Sequence, residues 1–201
     1  CNQKSISGQQ GQITEEDVKN AAETALKSSA GNNGEIAFFG GSFTAIAREY
    51  MLKLLQSAYP FVKEGLFKGI RISTRPDAID EDVLKILKEY SVTAIELGAQ
   101  STDEDVLRLN KRGHTRDNIF KASLLIKDNG FSLGLQMMTG LLGDSFPKAL
   151  KTCDDIIRLK PDTVRIYPTI VLEGTRLCEL FEKGEYAPQT TDEAVEICSV
   201  L

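Results

Sequence analysis

Short runs of β-branched and apolar residues alternate along the chain with longer stretches that repeat apolar residues at helical spacing. Five of the short runs predict strands, over Glu35–Phe39, Gly69–Ser73, Val92–Leu97, Ser132–Met137 and Thr163–Tyr167. The longer stretches predict amphipathic helices, over Thr14–Ser28, Phe43–Ala58, Asp80–Tyr90, Asp103–Leu109, Arg116–Asp128, Phe146–Leu159 and Gly174–Lys183, with a last helix from about Thr191. Strands that alternate with helices favour a parallel sheet with right-handed crossovers.

Two arrangements fit this alternation, an open doubly wound sheet and part of a barrel. Both place their chemistry at the carboxyl ends of the strands, so candidate functional residues are sought there. The chain has 201 residues and contains no linker or low-complexity tract. We therefore expect a single domain over residues 1–201.

Composition narrows the possible functions. The net charge is −5, which gives no broad electrostatic footprint for nucleic acid. No apolar run approaches the about 18 residues that a membrane helix needs. Four cysteines, at positions 1, 153, 178 and 198, form no closely spaced pair, so they indicate neither a disulfide scaffold nor a complete metal site. A reducing cytoplasm is the expected location.

The first two strand ends carry residues suited to a ligand. Gly40–Thr44 (GGSFT) follows the first predicted strand, and its two glycines let backbone groups approach a ligand closely. A simple tight turn explains the same glycines. Hydroxyls and a guanidinium follow the second strand, in Ser73–Asp77 (STRPD). Arg75 could bind a ligand there or pair with Asp77.

Buried polar residues are predicted on the third and fourth strands. Glu96 lies in a largely apolar strand, where a carboxylate is costly to bury unless it is paired. A sugar diol or a core salt bridge would satisfy it. Gln136, if it points inward, needs partners that a ligand could provide. The lone histidine, His114, ends a cationic turn suited to a carboxylate or phosphate, although such a residue is more often a cap or a surface residue than a catalyst.

Taken in order, these motifs resemble the radical S-adenosylmethionine superfamily along essentially the whole chain. Cys1 is similar to the last cysteine of the CxxxCxxC motif that holds a 4Fe-4S cluster in that superfamily. The resemblance implies an α/β fold, a partial, three-quarter TIM-like barrel. Since the chain lacks an initiating Met, we expect it to be trimmed, with two further cysteines and the first barrel strand upstream.

The resemblance also implies which residues bind S-adenosylmethionine. The glycine motif would contact the methionine amino group, Glu96 the ribose hydroxyls and Arg112 the methionine carboxylate. Relatives often carry an acid or a histidine where this chain has Gln136, which leaves the role of Gln136 open. The cofactor-binding residues implied are Gly40, Gly41, Ser42, Phe43, Ser73, Arg75, Glu96, Gln100, Arg112, Gln136 and Met137, and the metal ligand is Cys1.

Two branches of the superfamily are most similar. FFGGSFT, STRPD, ELGAQS and RGHT resemble the radical domain of the Elongator catalytic subunit and its bacterial relatives, and GGSFT with GxQS also resembles the oxygen-independent coproporphyrinogen III oxidase-like group. The superfamily resemblance implies reductive cleavage of S-adenosylmethionine, with an external electron donor, to a 5′-deoxyadenosyl radical that abstracts hydrogen from a substrate. The first branch further implies modification of a uridine in tRNA, which would bind through a further domain. Two other hypotheses stay open, a non-redox barrel that binds a phosphorylated metabolite and a non-catalytic scaffold.

Overall fold

A computed structural model describes residues 11–28 and 34–201 of the chain. Its strands form one parallel sheet in sequence order, so each strand pairs with the one that follows it in the chain. The strands are β1 (Ile36–Phe38), β2 (Ile70–Thr74), β3 (Val92–Gln100), β4 (Ser132–Thr139) and β5 (Thr163–Pro168). The predicted α/β class is therefore confirmed.

The sheet is strongly curled. Four strand spacings of about 4.8 Å would separate β1 from β5 by about 19 Å in a flat sheet. Instead, the guanidinium carbon of Arg165 on β5 lies 5.4 Å from the ring centroid of Phe39, which directly follows β1. Because side chains of the outer strands meet across the concave face, the sheet forms the predicted partial TIM-like barrel, and that concave face is called the lumen below.

Eight helices among the described residues surround the sheet. Threonine caps begin several of them, and Thr14, Thr115 and Thr190 each form a reciprocal capping box with the residue three positions later. The helices are α1 (Glu15–Lys27), α2 (Arg48–Lys63), α3 (Glu81–Glu89), α4 (Glu104–Leu109), α5 (Arg116–Asp128), α6 (Phe146–Leu159), α7 (Arg176–Glu182) and α8 (Thr191–Val200). None of the described helices combines the length and apolarity needed to cross a membrane.

The segment after β1 differs from the predicted helix Phe43–Ala58. It forms a short 3-10 turn, Phe43–Ala45, and α2 begins only at Arg48. The Thr44 hydroxyl donates to the carbonyl oxygen of Ala78 at 2.6 Å and lies 2.6 Å from the hydroxyl of Thr74. These bonds hold the turn against the end of β2, so the helix starts later than the hydrophobic pattern indicates.

The two faces of the sheet have different chemistry because strand side chains alternate between them. The face toward the helices is apolar and fully buried at Ile70, Ile72, Ile95, Leu97 and Leu133. The lumen instead receives charged and polar side chains from the alternate positions of the same strands. The hydrophobic core thus lies between sheet and helices, and the polar lumen is left for the site.

Candidate functional site

A buried carboxylate lies at the centre of the lumen. Glu96 on β3 is 1% exposed. It accepts hydrogen bonds from Gln136 Nε2 at 2.7 Å and from Arg165 Nη2 at 2.9 Å, with a longer contact of 3.4 Å from Arg71 Nη1. The salt-bridge hypothesis for Glu96 is therefore what the structure shows, and a sugar diol would have to share this carboxylate with three donors.

Neighbouring residues fix this network, which we call the Glu96 network (Glu35, Arg71, Glu96, Gln136 and Arg165). Arg71 is held by Glu35 through a nitrogen–oxygen contact of 2.7 Å. A Cβ atom at Gly134 would lie only 2.7 Å from Glu96 Cγ, so glycine makes the space that Glu96 occupies. The negative charge of Glu96 raises the pKa of Arg165. The network holds two acids and two arginines, and its charges balance without a ligand.

The carboxyl end of β3 carries an irregularity. Its pairing with β4 shifts register between Gly98 and Gln100, and Gln100 has a left-handed φ of +66°. Such a conformation is unfavourable for a residue with a side chain and often occurs at functional sites. Gln100 is 8% exposed, and its Oε1 atom has no hydrogen-bond partner among the described residues.

Arg112 lies beside Gln100 and is also unpaired. Its Nε atom is buried without a partner, and no described carboxylate forms an ion pair with its guanidinium. A Cβ atom placed on Gly98 would lie 2.8 Å from Gln100 Nε2 and 3.9 Å from Arg112 Nη2, so both side chains crowd one point. Burial lowers the pKa of Arg112. A partly buried cation without a counter-ion is suited to a carboxylate or a phosphate.

His114 is buried next to the same end of β3 and forms a hydrogen bond with its backbone. It is 5% exposed, and its Nε2 atom lies 3.1 Å from the carbonyl oxygen of Ala99. A carbonyl only accepts, so Nε2 carries the hydrogen. Burial lowers the pKa of His114, as does the nearby charge of Arg112. This histidine is therefore a buried support of the strand end, neither a cap nor a surface residue. Gln100, Arg112 and His114 are called the β3-end cluster below.

The glycine turn lies at the end of β1. Gly40 has a left-handed φ of +94°, and a Cβ atom at Gly40 or Gly41 would meet nothing within 4 Å. The turn thus presents its backbone to open space. Ser42 is partly buried, and Phe43 packs into the core, where its ring stacks on Phe38 at 4.7 Å. Phe43 anchors the turn, while the glycines remain accessible to a ligand.

The remaining residues assigned from the sequence lie in different settings. Ser73 is in register with Glu96 and faces the lumen. Arg75 is half exposed and pairs with Asp77 at 2.9 Å, which is the alternative noted for it. Met137 is 1% exposed in the hydrophobic core, because it alternates with Gln136. Cys1 lies outside the described residues.

Three residues of the Glu96 network, Glu35, Arg71 and Arg165, were not assigned from the sequence. Arg71 and Arg165 reach Glu96 from β2 and β5, on either side of β3. The available signal was strand alternation, since Arg71 and Ser73 share one face of β2 and Arg165 pairs with Gln136 in register. An isolated arginine in a predicted strand does not reveal its partner, which here lies up to 69 positions away.

The hydrogen-bond donors and acceptors left without partners at the site are chemically suited to S-adenosylmethionine. The unpaired Arg112 guanidinium matches a carboxylate, and the Gln100 Oε1 acceptor matches a hydrogen-bond donor. Gln136 gives its amide N–H to Glu96, which leaves its oxygen free to accept from a hydroxyl. Among residues 11–28 and 34–201, no group of three His, Cys, Asp or Glu side chains could hold a metal ion.

Two family models together match nearly the whole chain. Residues 1–156 match the family model of the Radical SAM superfamily, and residues 161–201 match that of the Radical_SAM C-terminal domain. A tRNA uridine(34) acetyltransferase of Methanocaldococcus infernus is 31% identical over 82% of this chain and 35% of the relative. Elongator complex protein 3 of Homo sapiens is 32% identical over 81% of this chain and 34% of the relative. The chain thus spans about a third of the length of these relatives.

Solved structures agree with the fold. The archaeal Methanocaldococcus infernus Elp3 with an N-terminal deletion superposes with a TM-score of 0.78 and 30% identity, over 92% of this chain and 48% of that one. Coproporphyrinogen III oxidase from Escherichia coli gives a TM-score of 0.62 at 18% identity, over 98% of this chain and 45% of that one. The second match supports the fold alone.

Proposed function

Because the chain belongs to the radical S-adenosylmethionine superfamily, we propose that it is the cofactor-binding barrel of an enzyme that cleaves S-adenosylmethionine reductively and modifies a uridine in tRNA. The uridine is inferred from the similarity to a tRNA uridine(34) acetyltransferase, and coproporphyrinogen oxidation is less favoured because that match is 18% identical. We keep the single-domain hypothesis for residues 1–201.

One observation carries the cofactor proposal: a partly buried guanidinium, Arg112, has no anion among the described residues. Folding removes this cation from water without giving it a partner, which is unfavourable unless a ligand supplies one. The methionine carboxylate of S-adenosylmethionine is such an anion. Gln100, strained and unpaired beside it, offers a second contact.

The other residues have complementary roles. Glu96 and the free amide oxygen of Gln136 accept from the ribose hydroxyls, with Gln136 oriented by its bond to Glu96. The glycine turn at Gly40 and Gly41 offers backbone carbonyls to the methionine ammonium. Ser73 lies beside Glu96 as a further polar contact. Arg75 is paired with Asp77 and Met137 is buried in the hydrophobic core, so we assign neither of them a contact with the cofactor.

When bound, a 4Fe-4S cluster and S-adenosylmethionine supply one-electron cleavage to a 5′-deoxyadenosyl radical, which needs an external electron donor. The chain's own residues bind, orient and shield the cofactor. Cys1 would contribute one thiolate ligand, which favours a reducing cytoplasm. The curled sheet and its helices exclude water from the lumen side of Glu96, which is 1% exposed.

Anaerobic reconstitution of the full-length gene product with iron and sulfide tests the proposal. We expect about four irons per chain and 5′-deoxyadenosine formation after addition of a reductant and S-adenosylmethionine. Cys1→Ala should lose both, whereas Cys198→Ala, a matched change at a free cysteine on α8, should keep both. A protein that binds no iron, or that binds iron without cleaving the cofactor, would overturn the proposal. Tight binding of inorganic phosphate instead would favour the metabolite-binding barrel.

A further inference from the structure

Two exposed aromatic residues and a half-exposed arginine lie on or just after the two outer strands of the sheet. Phe39 directly follows β1, and Arg165 and Tyr167 lie on one face of β5, two positions apart. Their exposed fractions are 46%, 48% and 42%. Large side chains that remain this open at the carboxyl ends of parallel strands occupy the position where such sheets bind substrates.

The guanidinium of Arg165 is held in place. Arg165 Nη2 donates to the buried Glu96 carboxylate at 2.9 Å, and the guanidinium carbon lies over the Phe39 ring, 5.4 Å from its centroid. Hydrogen bonding to Tyr167 contributes to the raised pKa of Arg165, after the larger effect of the Glu96 charge. Phe39, Arg165 and Tyr167 therefore form one unit, the stacking cluster, which β1 and β5 contribute jointly.

Exposed aromatic rings beside an arginine are suited to binding a nucleic-acid base. Aromatic rings and arginine planes stack single-stranded bases, worth about 1–3 kcal/mol per base by alanine substitution. A guanidinium has five N–H donors, and only one of those of Arg165 is used by Glu96. The remaining donors suit the carbonyl oxygens of a pyrimidine. A planar base with two carbonyls would thus meet a ring face and hydrogen-bond donors together.

We propose that the stacking cluster receives the everted pyrimidine base of an RNA substrate. This inference rests on the proposed function and adds the residues that hold the target base. An enzyme that acts on a base must take it out of its stack, and stacking on protein side chains offsets that loss. The cluster contacts Glu96, the residue assigned to the cofactor ribose, so a base held there lies beside the cofactor. With a net charge of −5, the chain would depend on such stacking more than on phosphate contacts.

The chain has no tryptophan, which permits a direct test. Phe39→Trp places a single tryptophan in the stacking cluster, and its emission can be excited selectively at wavelengths that tyrosine does not absorb. Leu124→Trp, at a 54% exposed position on α5, is the matched control. Each variant is titrated with an RNA stem–loop that carries uridine at one loop position, and with the same RNA abasic at that position. In the Phe39→Trp variant, we expect the uridine RNA to quench the indole emission at an at least 10-fold lower concentration than the abasic RNA.

Equal quenching by the two RNAs, or equal quenching at the Leu124 position, would overturn the inference, because either result describes non-specific contact. If circular dichroism shows that Phe39→Trp is unfolded, Tyr167→Trp is titrated in the same way with the same two outcomes. Failure here is distinguishable from failure of the proposed function. The iron content and the cleavage of S-adenosylmethionine are measured without RNA, and either result can stand without the other.

Discussion

Two polar regions meet on β3 and differ in whether their buried polar groups have partners. In the Glu96 network, a carboxylate with 1% exposure has three donors within 3.4 Å. In the β3-end cluster, four residues further along the same strand, Gln100 Oε1 and Arg112 Nε are buried without partners. The first region is complete as folded, whereas the second is complete only with a ligand.

One strand can thus contribute to stability with one of its polar regions and to ligand binding with the other. A paired buried charge holds its geometry before any ligand arrives, which preorganises the surface that receives the ribose. An unpaired buried cation lowers the stability of the free protein, and a ligand carboxylate recovers that free energy on binding. The two regions should therefore respond oppositely to removal of their central charge.

Glu96→Ala should have the largest effect. It leaves Gln136 without its acceptor and Arg165 without its counter-ion, although Arg165 is half exposed and can be rehydrated. We expect the free energy of unfolding to fall by about 2–3 kcal/mol, below the usual value for a broken buried pair for that reason. Urea denaturation measures it. Glu179→Ala, which removes an exposed carboxylate paired with Arg176, should change stability little. Similar losses in the two variants would contradict the account.

Two substitutions of Gln100 distinguish the cost of backbone strain from the loss of side-chain contacts. Gln100→Gly and Gln100→Ala both remove the amide, but only glycine is relaxed at φ +66°. We expect the glycine variant to be more stable than the alanine variant by about 1–2 kcal/mol. Urea denaturation of both variants measures this difference, since equal m-values allow the unfolding midpoints to be compared directly. Equal stabilities would show that the strand end stores no strain.

Arg112→Met should act in the direction opposite to Glu96→Ala. Methionine fills similar space without a buried charge, so the free energy of unfolding should rise by about 1 kcal/mol. The same variant should lose affinity for S-adenosylmethionine. Thermal unfolding with and without the ligand records both changes. Destabilisation as large as that of Glu96→Ala would mean that Arg112 has a structural partner in the folded protein.

His114 gives the smallest effect, visible only as a pH dependence. Burial lowers the pKa of His114 below its usual 6.5, so the unfolded chain binds its proton first as the pH falls. Stability is thus lost as the pH falls below about 6.5. His114→Gln, which keeps a donor for the Ala99 carbonyl, should flatten this part of the profile. An unchanged slope between pH 7 and 5 would assign the acid sensitivity to other groups.

The sequence predicted the strands and the end of the sheet at which the site lies, because alternation and glycine turns are local signals. It did not predict which face each residue takes at β4. Gln136 and Met137 are adjacent in one strand, so both cannot enter the lumen, and Met137 is buried in the core. Arg165 was not assigned to the site because its contact with Glu96 depends on the curl of the sheet. For Arg75, the sequence allowed either a ligand contact or an ion pair with Asp77. The structure has the ion pair, which depends on a side-chain conformation that a sequence pattern does not specify.

The most direct test compares two ligands that differ only in one carboxylate, S-adenosylmethionine and decarboxylated S-adenosylmethionine, by calorimetric titration of the parent protein and Arg112→Met. A charge-assisted hydrogen bond to a partly buried guanidinium is worth about 1.5–3 kcal/mol, so the parent should bind the carboxylate-bearing ligand about 10- to 140-fold more tightly. In Arg112→Met, the two ligands should bind equally. If the variant keeps the parent's preference, Arg112 does not hold the carboxylate, and the assignment of the β3-end cluster to the cofactor is wrong.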